Sequence, residues 1–294
     1  MATTVFRKLV LTLEMIRFEH SIFALPFALT GALLAWRHES FATAGLGIKL
    51  GWIILCMVAA RSAAMAFNRL LDEDIDARNP RTRTRHLPAG LLGRGFTWGF
   101  TIACSLVFIW GARMLNDLCF YLSPVAISIL FFYSYTKRFT SMSHLVLGFC
   151  LGIAPAAAWI AITGSLDPRI LLLTAAVTFW TAGFDIIYSC QDYEFDRDTG
   201  LHSVPARLGL GGALLLSRAL HLAMIITLVW LVLAFQLGIA AWLGVAAVAA
   251  LLAWEQSLVR ADDFSRVNAA FFTANGYVSI LFFAFWSADI LWNR

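Results

Sequence analysis

Two stretches concentrate acidic, amide and basic side chains in a chain that is otherwise close to oil. The first, "NRLLDEDIDARNPRTRTR" from Asn68 to Arg85, packs six acidic or amide groups together with five arginines. On a helix turning about 100° per residue, Asn68, Asp72 and Asp76 fall at roughly 0°, 40° and 80°, one narrow stripe. Arg61 lies on that stripe seven residues earlier and deeper in the apolar run. The second stretch is "FDIIYSCQDYEFDRDTGLHSVPARLG", Phe184 to Gly209. By the same rule Asp185, Tyr188, Asp192 and Asp196 fall at roughly 0°, 300°, 340° and 20°. Asp74 and Asp198 point elsewhere and read as solvated helix-end charges.

Carboxylates at the end of an apolar helix are costly to desolvate unless something positive meets them. One such cluster is explained by arginines in the neighbouring loop, or by exposure to water. Two clusters, spaced N-x3-D-x3-D and D-x6-D-x3-D, ask for more. Paired Asp stripes suit Mg²⁺, a hard ion that prefers oxygen ligands and takes phosphate oxygens among them. Arg81, Arg83, Arg85 and the Lys137–Arg138 pair would then meet the phosphate charge left over. Acids alone suggest a cation site; acids among basic residues suggest a metal–diphosphate site.

The elements that must position these groups are membrane helices. Of 294 residues 60% are hydrophobic and only 14% charged, and the mean hydropathy is +0.76. A soluble domain is roughly a quarter charged. Nine apolar stretches can be drawn, at 18–36, 48–71, 96–113, 118–136, 144–163, 169–191, 212–236, 238–258 and 268–291. The expectation is one all-α, polytopic transmembrane domain over 1–294, with both acidic motifs at helix ends. Residues 1–18 lack the order of a cleaved signal peptide. With the N-terminus cytoplasmic, sixteen basic residues, Arg17 among them, fall inside and five, including Arg294, outside. That positive-inside bias places the loops at 72–95, 137–143 and 192–211 in the cytoplasm, in an arrangement that suits a bacterial inner membrane. The five cysteines read as buried free thiols, and a basic cluster mixed with acids gives no nucleic-acid footprint.

The wording of the motifs is familiar. N-x3-D-x3-D followed by "RTRTRHLPAG", then "YSYTKR", then "DIIYSCQDYEFDRDTGLHSVPARLG" resembles the UbiA superfamily of intramembrane prenyltransferases, over nearly the whole chain. The second motif is most similar to the 4-hydroxybenzoate polyprenyltransferase branch, including members tied to menaquinone made by the futalosine route. One residue departs: many members have Pro where His86 stands. The resemblance implies that Asn68, Asp72, Asp76, Asp192 and Asp196 hold two Mg²⁺ ions on a polyprenyl diphosphate. Arg61, Lys137 and Arg138 match basic positions around the diphosphate, and Asp185 and Tyr188 the polar residues beneath it. It also implies an aromatic acceptor, alkylated ortho to its hydroxyl by a carbocation-like allylic carbon, with Asp185 the candidate to polarise that hydroxyl or take the proton. The lipid tail of one substrate gives the enzyme its reason to sit among membrane lipid.

Other readings stand beside this one. A cation transporter would want acids near the bilayer midplane with little basic charge around them. Within the family, naphthoate, homogentisate, haem or chlorophyllide are alternative acceptors. Gly148 and Gly152 form a small-x3-small pair that reads as close helix packing. The glycine-rich "LGLGG", Leu208 to Gly212, has no strand before it and is no dinucleotide loop. The six histidines share no ligand spacing, and His202 reads as a loop contact.

Overall fold

A computed structural model describes residues 2–16 and 23–292, and it is all-helical. Eight helical segments among the described residues are long and apolar enough to cross a membrane. The nine expected stretches match these eight from the second onward. The first falls partly on residues 17–22, which lie outside the described residues, as do Arg17 and Arg294. Its later part forms a helix of 14 residues, Leu25–His38.

The chain divides into two compact units, Met1–Ser21 with Gly51–Tyr135, and Ile22–Leu50 with Thr136–Arg294. The first unit contains α1 (Ala2–Met15). Hydropathy does not signal this element, because Arg7, Lys8 and Glu14 interrupt its apolar face. The 14-residue helix Leu25–His38, which belongs to the second unit, is α2; α3 (Leu46–Arg78) follows it and lies in the first unit from Gly51 onward. At about 1.5 Å per residue α3 is about 50 Å long, well beyond the ~30 Å apolar thickness of a bilayer. The excess carries Asp72 and Asp76. Asn79–Pro80 ends the helix, since a proline cannot continue the hydrogen-bond ladder. α4 (Arg94–Leu115) and α5 (Asp117–Thr136) complete this unit. Beneath the acidic end, Met15 and Ile16 pack with Ala66, Leu70, Leu87 and Leu92, fastening α1 and the loop after α3 to the same face.

In the second unit α6 (Ser143–Thr163) and α7 (Leu171–Ser189) lie in close contact. A Cβ added at Gly148 would collide with the Thr178 carbonyl, and one at Gly152 with the Thr178 hydroxyl and the Thr174 carbonyl. The small-x3-small reading is thereby borne out. α6 stops at Gly164, whose φ of 74° is the left-handed turn that closes a helix end.

The second acidic stretch is not one regular helix, so the even 100° spacing expected for it does not hold. α7 gives way to a 3-10 turn at Cys190–Asp192, and α8 (Tyr193–Thr199) follows. The polar side chains cause this locally by taking main-chain oxygens for themselves. Ser189 Oγ donates to Ile186 O at 2.8 Å, and Gln191 Nε2 to Tyr188 O at 3.1 Å. Three steps at about 120° swing Asp192 and Asp196 roughly 60° further from Tyr188, yet keep them within an arc of about 80° from Asp185.

α9 (Val204–Ala234) begins at a Ser203 N-cap, eight residues before the expected start at 212, and bends at Gly209, whose φ of 70° and ψ of 168° are not helical. α10 (Ile239–Ser257) precedes a π-helical turn, Ala269–Ala274, and α11 (Asn275–Trp292). The turn is held by Asn275, whose Nδ2 reaches Ala270 O and Phe271 O, both at 3.1 Å, and Glu255 Oε1 at 3.0 Å. Trp180 Nε1 donates to Asn275 Oδ1 at 2.7 Å. Glu255 and Asn275 are wholly buried.

Candidate active site

In the first unit α3 positions Arg61, Asn68, Asp72 and Asp76. Arg61 and Asn68 are half-buried, while Asp72 and Asp76 are only 2% and 4% exposed. Each buried carboxylate of α3 has a side-chain partner. Asn68 Nδ2 donates to Asp72 Oδ2 at 3.0 Å, the i to i+4 relation expected of the stripe. Arg85 Nη1 donates to both oxygens of Asp76, at 2.7 and 2.8 Å, and Arg69 Nη1 stands 3.9 Å from Asp76 Oδ2. The loop after α3 is built to bring Arg85 back. Asn79 Oδ1 accepts the Arg81 N–H at 2.9 Å, and the Thr82 hydroxyl donates to Asp76 O at 3.1 Å. Arg81 and Arg83 stay exposed. The structure thus joins Asp76 with Arg85, and Asn68 with Asp72.

In the second unit Lys137 and Arg138 sit half-buried in the turn after α5. The Lys137 carbonyl accepts the His202 N–H at 2.9 Å, which ties this turn to the loop before α9. The histidine expected as a loop contact is therefore one through its backbone. Asp185 and Tyr188 lie on α7, Asp192 at the end of the 3-10 turn, and Asp196 on α8; all four are half-buried. Behind them a cluster of Ile186, Ile187, Cys190, Val204 and Leu214 anchors the start of α9 and the loop after α10. A cavity of about 540 Å³ opens beside Asp196, lined also by Ser141, His202, Ser203 and Arg207.

Two features of this unit escape sequence reading. His144 Nδ1 lies 2.7 Å from Asp185 Oδ2, and the Val204 N–H points into His144 Nε2 at 3.3 Å. The π-helical turn places Phe271 against Tyr188, with ring centroids 4.2 Å apart, and against Phe184 at 5.3 Å. Phe23 meets both Phe184 and Phe271. Aromatic faces of this kind can shield a cation. Among the described residues no three His, Cys, Asp or Glu side chains already stand together as a metal-binding group. The acids of α3 are instead held by an amide and a guanidinium.

Comparison with known proteins gives the arrangement its context. The model of the UbiA prenyltransferase family matches residues 24–287. A 4-hydroxybenzoate solanesyltransferase of Synechocystis sp. is 33% identical over 187 residues, 61% of this chain and 64% of that enzyme. A 4-hydroxybenzoate octaprenyltransferase of Vibrio atlanticus is 29% identical over 79% of this chain and 83% of its own length. Among solved structures, the apo UbiA homologue of Aeropyrum pernix K1 is 35% identical, with a TM-score of 0.83 over 92% of this chain and 98% of that one. A UbiA homologue of Archaeoglobus fulgidus, solved bound to GPP and Mg²⁺, shares the fold at 21% identity, with a TM-score of 0.73 over 96% of this chain and 99% of its own. With the family model covering nearly all of its length, this multi-pass helical chain belongs to the UbiA prenyltransferase family and is a transferase.

Proposed function

We propose that the chain transfers a polyprenyl group from a polyprenyl diphosphate to an aromatic acid in quinone biosynthesis, with 4-hydroxybenzoate the foremost acceptor. The observation that carries this reading is the pair of buried carboxylates, Asp72 and Asp76, at the far end of a helix longer than a bilayer is thick, with Arg85 folded back onto Asp76. Curated relatives named as 4-hydroxybenzoate polyprenyltransferases support the acceptor. A cation path would not stop its acid with an arginine.

The donor set fits Mg²⁺. Asn68, Asp72 and Asp76 on α3, and Asp192 and Asp196 in the second motif, offer only oxygen ligands suited to a hard cation. Bound Mg²⁺ supplies positive charge that neutralises the departing diphosphate. Arg61, Arg81, Arg85, Lys137 and Arg138 bind and orient the same anion, and Arg85 can exchange its carboxylate partner for a phosphate oxygen.

As the allylic C–O bond breaks, its electron pair leaves with the diphosphate, and the electron-rich ring carbon forms the new C–C bond. Asp185 then takes the ring proton, or holds the acceptor's hydroxyl while that proton passes to the released diphosphate, with Tyr188 beside it. Phe271, Phe184 and Tyr188 exclude water from the cation and face it with π density. The whole chain works as one domain in a bacterial inner membrane, with both motifs cytoplasmic.

The test is to incubate purified protein with Mg²⁺, a labelled polyprenyl diphosphate and a panel of aromatic acids, and to identify products by mass. A prenylated 4-hydroxybenzoate is expected. Product on a naphthoate or homogentisate alone would replace the acceptor, and no product on any aromatic compound would overturn the reading.

A further inference from the structure

His144 and Asp185 stand 41 residues apart in sequence, on α6 and α7, and meet at 2.7 Å. The His144 side chain is 6% exposed and that of Asp185 is 21% exposed, so the aspartate faces open space from behind a buried ring. Both ring nitrogens are engaged. Val204 is the first residue of α9, where main-chain N–H groups have no partner within the helix. Its N–H donates into Nε2 at 3.3 Å, so that nitrogen bears no proton. A neutral imidazole carries its one hydrogen on the other nitrogen. Nδ1–H therefore donates to Asp185 Oδ2, and Oδ1 is left to act.

We propose that His144 is a positioning residue for the transfer reaction: locked as the Nδ1–H tautomer by Val204, it fixes the Asp185 carboxylate so that Oδ1 meets the acceptor's hydroxyl or ring proton. The inference rests on the prenyl-transfer reading and adds to it a residue from outside both acidic motifs. It makes the start of α9 part of the active site's support. The same loop also binds the Lys137 carbonyl through the His202 N–H, so the turn carrying Lys137 and the tautomer of His144 depend on one segment, 200–204.

The experiment is a cycle of variants with separate kcat and KM for each substrate. His144→Leu removes donor and acceptor while keeping bulk, and should lower kcat by roughly ten- to a hundredfold, the scale of a misplaced catalytic group. KM for the polyprenyl diphosphate should not move. His144→Gln keeps one donor and one acceptor and should recover most of the loss. In an Asp185→Asn background, His144→Leu should cost nothing further, because its effect runs through that carboxylate. A fully active His144→Leu protein overturns the proposal, as does an equal loss in the Asp185→Asn background, or a change confined to the KM for diphosphate. Should the leucine variant fail to fold, His144→Asn carries the same cycle. Failure of the wild-type protein to prenylate any acceptor defeats the proposed activity instead. The tautomer is then still decided by ¹⁵N NMR of histidine-labelled protein, with His144 assigned from the signal lost in His144→Gln. An Nε2–H form overturns the proposal.

Discussion

Replacing Gly152 by alanine puts a methyl group 2.5 Å from the Thr174 carbonyl oxygen, where ordinary contact begins at 3.4 Å. Backbone cannot swing aside as a side-chain tip can, so α6 and α7 must separate locally by about 0.9 Å. Overpacking of this kind costs ~1–3 kcal/mol, against which Ala regains ~1 kcal/mol of helix propensity over Gly. The expected net loss is up to ~2 kcal/mol, read as a drop in melting temperature of a few degrees. Gly148→Ala meets the Thr178 carbonyl one turn from His144 and should lose more, with activity falling further than stability because α6 carries His144 and α7 carries Asp185. Gly99→Ala on α4 is the control: nothing lies within 4 Å of its Cβ, and it should be neutral or stabilising by up to ~1 kcal/mol. The chain provides its own assay once half-buried Cys104 and Cys119 are replaced, since Cys56, Cys150 and Cys190 are buried thiols outside any disulfide that a maleimide dye reaches only on unfolding. A Gly152→Ala protein melting at or above the wild type would refute the close approach of these helices.

Asp72→Asn and Asp192→Asn should each depress turnover severely. The double variant should lose far less than the product of the two losses, because the motifs serve one leaving group; independent, multiplying losses would separate them. Asp72→Asn should not lower the melting temperature, since a neutral amide of nearly the same shape replaces a carboxylate that is costly to bury, and activity lost to chelator should return with Mg²⁺. A cysteine placed at exposed position 83 in a Cys-free background should react with an impermeant probe only after cells are opened; labelling of intact cells would reverse the proposed orientation. Asp167, between α6 and α7, has its carboxyl held below the usual range chiefly by its hydrogen bond from Arg169. A lowered value contributes stability above the ordinary carboxylate range and loses it as pH falls through the lowered one. Asp167→Asn should therefore flatten only the acid limb of a plot of melting temperature against pH, and an unchanged limb would discount the pair.

How far the sequence could be read depended on whether the signal was periodic. Apolar runs of a bilayer's length repeat and mark α3 to α7 and α9 to α11, although α3 runs seven residues past its expected end and α9 starts eight before its expected start, and the stripe of Asn68, Asp72 and Asp76 follows from helix pitch alone. The Gly148–Gly152 pair was legible for the same reason. His144 was not, because a lone histidine acquires meaning only from Asp185 and Val204, which tertiary packing brings to it. The 3-10 turn at Cys190–Asp192 and the π-helical turn at Ala269–Ala274 were equally hidden. Both arise where polar side chains, Ser189 and Gln191 in one case and Asn275 in the other, compete for main-chain oxygens, and hydropathy does not register that competition.

Glu255 lies two residues from the end of α10, and its Oε1 accepts from Asn275, the first residue of α11. During biogenesis α10 can enter the bilayer with this carboxyl still at the water boundary, so insertion need not bear the penalty of an acid in lipid. Docking of α11, synthesised afterwards, delivers the amide that meets Glu255 Oε1 and completes its burial beside His221 of α9. Its burial is therefore a maturation mark rather than an insertion mark. A chain that has threaded every helix but not yet closed its last hairpin would still offer Glu255 to a carboxyl-reactive carbodiimide, and the finished protein would not.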